Sequence, residues 1–121
     1  VGGPMIKIGI LTCIHSNDVC ARVGCLNAFY DRKNFFADYP EDARLTALFT
    51  CNGCEEERPQ PPNEDKGILE KIERLKKEQV SVVHVGICRL KEDGTECERI
   101  TQIISMLEQG GIRVFLGTHR E

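Results

Sequence analysis

The feature that most constrains this fold is an alternation. Four short, apolar, β-prone runs are separated by segments of helical periodicity. The runs are Met5 to Thr12 (MIKIGILT), Ala43 to Thr50 (ARLTALFT), Val80 to Gly86 (VSVVHVG) and Ile112 to Gly117 (IRVFLG). Near-continuous apolar strands are expected when both faces of a parallel sheet are covered by helices. Between them, Ile68, Ile72 and Leu75 line one face of a helix whose other faces are Glu, Lys and Arg. Ile100, Ile103, Ile104 and Leu107 line another, which opens on a capping-box pattern, Thr95-Glu96-Cys97-Glu98, and stops at Gly110-Gly111. An earlier helix is carried by Val19, Val23, Leu26 and Tyr30, with Asn17 or Asp18 as N-cap. The order βαβαβαβ predicts a single α/β domain. We expect a three-layer sandwich, a four-stranded parallel sheet in the order 2-1-3-4 with helices on both faces.

The domain is expected to span residues 5–121. Val1-Gly2-Gly3-Pro4 has little structural character and reads as a cloning remnant before a natural start at Met5. The segment Glu55 to Pro62 (EEERPQPP) reads as an exposed loop, too polar to pack. Lys plus Arg is 16 against Asp plus Glu 19, a net charge of −3, which argues against nucleic-acid binding driven by bulk charge. No apolar run approaches the roughly 20 residues of a membrane span, and no export signal is visible.

Cysteine use is unusual. There are seven: Cys13, Cys20, Cys25, Cys51, Cys54, Cys88 and Cys97. An odd number without an export signal reads as cytoplasmic thiols for metal or redox work rather than a disulfide framework. In a parallel sheet all strands end at one edge, and ligands bind there. Cys13 follows the first strand, Cys51 and Cys54 the second, Cys88 the third, and Thr118-His119 the fourth. We therefore take Cys13, Cys51, Cys54, Cys88 and His119 as the primary candidate metal ligands. Such a set suits tetrahedral zinc, and four thiolates equally suit an iron–sulfur cluster.

In Cys51-Asn52-Gly53-Cys54 the two-residue gap turns both sulfurs toward one ion, and Gly53 can take the positive φ of a tight turn. Thioredoxin-like pairs share this spacing but sit at a helix start, and here the helix begins about ten residues later. Cys20, Cys25, Cys97 and His15 are secondary candidates. Cys97 lies in the first turn of the third helix, where packing explains it as well as ligation. Cys20 and Cys25 could serve a second metal or a redox pair. His84, inside the third strand, reads as a packed, hydrogen-bonded histidine.

Enzyme signatures are sparse. A cysteine-phosphatase loop needs Arg six residues after its nucleophile, where Cys13 is followed by Val19 and Cys51 by Glu57. No dinucleotide-binding glycine pattern or Walker lysine is present. A cysteine nucleophile paired with His119 is geometrically conceivable, so thiol redox or metal-dependent catalysis is the alternative to plain metal binding.

The ordered anchors KIGILTC, FTCNGC, VHVGIC and FLGTH, with the clustered cysteines between the first two, resemble the CGGC-domain family over about Met5 to His119. The resemblance implies a small prokaryotic protein that binds metal, proposed as zinc, through Cys13, Cys51, Cys54, Cys88 and the Gly117-Thr118-His119 end. Cys20, Cys25 and Cys97 fall near further family cysteines. Asn52 stands where the family has glycine. Asn also tolerates left-handed backbone, so the turn is expected to survive.

Overall fold

The structure is a computed structural model and describes residues 6–14, 20–53, 60–90 and 93–118. In chain order it runs β1 (Lys7–Thr12), α1 (Val23–Tyr30), β2 (Arg44–Thr50), α2 (Lys66–Lys77), β3 (Val82–Val85), α3 (Glu98–Gln109) and β4 (Arg113–Leu116). Short 3₁₀ turns occupy Asn34–Phe36, Pro62–Glu64 and Ile87–Arg89. The sheet is parallel, in the order β2-β1-β3-β4, as the alternation requires.

Side-chain alternation builds two cores. On one face Leu11, Val83 and Val85 meet Ile68, Ile72 and Leu75 of α2 and Ile100, Ile103 and Leu107 of α3. Each such side chain, fully buried, contributes roughly 1.5–3 kcal/mol. On the other face Ile8, Ile10 and Val82 meet Cys25, Ala28 and Phe29 of α1, together with Phe36. The two faces are unequally covered: two helices lie on the first, and α1 with the 33–39 turn on the second. A register shift between Ile8 and Gly9 pairs them with Leu45 and Ala47, so Thr46 is an extra residue in β2. That bulge lets Leu45 pack on the α1 side while Ala47 and Phe49 pack on the other, a switch simple alternation would forbid.

Several local expectations are corrected. Helix α1 starts at Val23, with Arg22 at its N-cap in left-handed backbone (φ 67°) and no side-chain cap. Asn17 and Asp18, expected as caps, lie outside the described residues, as does Val19. The buried face of α1 is Cys25, Ala28 and Phe29, whereas Val23 and Tyr30 are exposed. The residues Val23, Leu26 and Tyr30 do share helical spacing, but Phe29 and the small Ala28 fit closer to the sheet. The capping box on α3 does not form. Cys97 is its N-cap residue without a side-chain bond, and the Thr95 hydroxyl donates to Asp93 instead, 2.6 Å away. Pro62, expected in an exposed loop, is buried beside α2.

A buried ion pair was not foreseen. Asp65 caps α2, accepting from the Gly67 amide at 2.9 Å and the Ile68 amide at 3.4 Å. Its other oxygen meets Arg99 of α3 at 3.4 Å, both side chains being 3% exposed. Arg99 also donates to the Gln60 carbonyl at 2.6 Å. One carboxylate thus fixes a helix start, the packing of α2 on α3, and the far end of the β2–α2 loop. Replacing Asp65 by Ala removes the cap and strands a buried guanidinium, so unfolding free energy should drop by about 3–5 kcal/mol. Urea denaturation measures this, and a loss near that of an exposed carboxylate would contradict the assignment.

Candidate metal centre

The strand order sets the order of residues along the C-terminal edge. Cys51 follows β2, Cys13 follows β1, Cys88 lies in the turn after β3, and Thr118 follows β4. The Cys13 amide donates to Cys88 Sγ at 3.2 Å across two adjacent strand ends. A Cβ at Gly86 would come within 3.3 Å of that sulfur, so the bare glycine leaves it room. Cys51 is 1% exposed and joins the α2–α3 core, against which Cys13 and Cys97 pack.

After Cys51 the backbone takes positive φ, at Asn52 (67°) and Gly53 (134°), whereas Cys54, which would close the expected turn, lies outside the described residues. Asn52 tolerates the left-handed region, and its side chain is used. Lys71 of α2 donates to Asn52 Oδ1 and, at 3.1 Å, to the Thr50 carbonyl. With Arg99 holding Gln60, the β2–α2 connection is tied at both ends by cations from helices. Neither Lys71 nor Arg99 was foreseen as a positioning residue. The only sequence signal was a basic residue close to the apolar stripe of each helix.

Helices return from the same edge, so their first turns deliver more sulfur to it. Cys25, in the first turn of α1, lies 3.1 Å from the Thr118 hydroxyl. Burial pushes its thiol pKa up; Thr118 opposes this, and the neighbouring Cys20 and Cys88 add to the rise. Cys20 is exposed, and its sulfur accepts the Arg22 amide at 3.4 Å. That hydrogen bond, then the Arg22 side chain, pulls its thiol pKa below the ordinary value. Cys97 is tethered by its amide to the Arg89 carbonyl at 2.7 Å, one residue beyond Cys88. Cys20, Cys51, Cys88 and Cys97 form no disulfide with one another.

Cys54, His119 and His15 lie outside the described residues. Among the described residues, no group of three or more His, Cys, Asp or Glu side chains is arranged to hold a metal ion. Cys13, Cys51 and Cys88 therefore share an edge without forming a closed site by themselves. Their soft donors fit a thiophilic metal in kind, with Cys54 and His119 as the remaining expected ligands.

The family model of the CGGC domain matches residues 7–119. This chain belongs to the CGGC-domain family. No curated protein and no solved structure matches it. Membership suggests a metal-binding role for this CGGC domain. No helix among its described residues is long and apolar enough to cross a membrane.

His84 is structural, as its place in β3 suggested. It is 2% exposed, with Nδ1 2.8 Å from the Gly117 carbonyl and Nε2 2.7 Å from the Tyr39 hydroxyl. Burial lowers its pKa, and the Gly117 carbonyl partly opposes that. The unfolded chain then binds a proton near pH 6.5 that the native state refuses. Stability is therefore complete above that pH and falls as pH drops through it, by at most about 1.4 kcal/mol per unit. Urea midpoints between neutral and mildly acidic pH should show this slope, and His84→Gln should flatten it. An unchanged slope in the variant would refute the linkage.

The thiols should also separate by reactivity. In metal-free protein, a limiting dose of iodoacetamide should label Cys20 first and Cys25 and Cys51 last, as read by peptide mass mapping. Equal labelling of Cys20 and Cys25 would contradict the environments described above.

Proposed function

We propose that this domain holds a thiophilic metal at the C-terminal edge of its sheet, through Cys13, Cys51, Cys54 and Cys88. His119 serves as a fifth donor or as a hydrogen-bond partner to a ligand. The observation that carries this reading is the strand order, which makes Cys51, Cys13 and Cys88 successive along one edge. The Cys13 amide supports it further, since backbone N–H donors to sulfur accompany and tune ligating thiolates. Zinc is the first choice and an iron–sulfur cluster the alternative. Either would supply the positive charge that lets several thiolates share one site. A reducing, cytoplasmic setting would keep these thiols available.

A second reading is thiol exchange, favoured by the contrast between exposed Cys20 and buried Cys25. There the Cys20 thiolate would attack a substrate disulfide and expel one thiolate. Deprotonated Cys25 would then attack the mixed disulfide and expel the second, leaving a Cys20–Cys25 disulfide and a reduced substrate.

Anaerobic purification, elemental analysis and an absorption spectrum separate these readings. The Cys51→Ser, Cys54→Ser double variant should lose most of its metal, and Cys97→Ser should lose little. Binding should release protons and weaken as pH falls. Full occupancy in the double variant would overturn the proposed site. Loss of disulfide exchange in Cys20→Ser with metal retained would show that exchange operates apart from the metal site.

A further inference from the structure

The unequal covering of the sheet leaves a cleft. It occupies about 620 Å³ on the α1 side of β3 and β4, walled by Phe35, Tyr39 and Phe115 and floored by Val82 and His84. Among the described residues, no cysteine lines it. Phe115 is 41% exposed and Phe35 45% exposed, so the aromatic walls of the cleft are open to solvent. Gly117 keeps Phe35 in place: at φ 127° a Cβ there would come within 2.7 Å of the phenyl ring.

The polar groups of the cleft are specific. The Gly117 carbonyl can only accept, so neutral His84 carries its proton on Nδ1, and Tyr39 donates its hydroxyl proton to Nε2. The oxygen lone pairs of Tyr39 are then its remaining hydrogen-bonding capacity. At the rim stands Arg113, its guanidinium 5.4 Å from the Phe115 ring centroid. Among the described residues Arg113 makes no ion pair and no side-chain hydrogen bond. Asp38 also lines the cleft, and its carboxylate disfavours multiply charged anions.

We propose that this cleft is a binding site for a small planar aromatic monoanion, such as an aromatic carboxylate. The ring is sandwiched by Phe35 and Phe115, and the carboxylate meets Arg113. The volume lies within the range of small-molecule sites, roughly 300–1,000 Å³. Stacking supplies area at low entropic cost. A guanidinium beside an aromatic wall supplies a planar, bidentate donor pair for one carboxylate.

The test uses the full chain, isotopically labelled, titrated with 2-naphthoate and with uncharged 2-naphthalenemethanol while amide spectra are recorded. The proposal expects saturable shifts focused on Ser81, Val82 and Phe115, and tighter binding of the anion than of the alcohol. Arg113→Gln should weaken 2-naphthoate roughly fivefold or more while changing the alcohol by less than about twofold. Phe115→Ala should weaken both, and Arg44→Gln, an exposed cation on the opposite edge strand, should weaken neither. The spectra themselves report whether each variant is folded, and the anion–alcohol comparison needs no variant. Scattered or unsaturable shifts, equal affinity for the two probes, or indifference to Arg113→Gln would overturn the proposal. So would self-association through this face that 2-naphthoate fails to disperse.

Discussion

Strands that all run one way must all finish at one edge, and the chemistry of this domain depends on that constraint. β1 and β3 are buried on both faces, so their backbone polar groups are satisfied by neighbouring strands and their registers are tightly held. Any residue just past a strand is therefore held close to the sheet. Cys51 and Cys13 stand one position beyond their strands and Cys88 three, in the turn after β3. The returning helices extend the same logic, since their first turns must also lie at that edge. Cys25 and Cys97 arrive there on α1 and α3.

What the sheet does not fix is held by charge. The connection from β2 to α2 carries the Cys51–Cys54 motif. Lys71 holds its start through Asn52 and the Thr50 carbonyl, and Arg99 holds its end through Gln60. Asp65 then joins Arg99 to the start of α2. A cation from a helix thus holds each described end of this connection.

Strand identity and order were legible in the sequence because apolar runs such as VSVVHV are too short for helices and alternate with clear amphipathic ones. Positive φ at Gly53 was legible for a local reason, since glycine takes that backbone without strain, and Asn52 beside it tolerates it too. The face of α1 was not. Its packing is decided by the volume of Phe29 and the smallness of Ala28 against Ile8 and Ile10, which periodicity alone cannot weigh. The capping box failed because Asp93 offers Thr95 a nearer acceptor. The Asp65–Arg99 pair joins residues 34 positions apart, a tertiary fact with no local signature. The cleft follows from the covering of β4, where Arg113 and Phe115 look from the sequence like an ordinary edge strand.

The most direct measurement is X-ray absorption at the edge of whatever metal the purified domain retains. The account predicts an inner coordination sphere dominated by sulfur, with metal–sulfur distances of about 2.3 Å for zinc. It also predicts that sulfur is lost from that sphere in Cys51→Ser. A sphere of nitrogen and oxygen alone, or one that keeps all its sulfur when Cys51 is replaced, would contradict it.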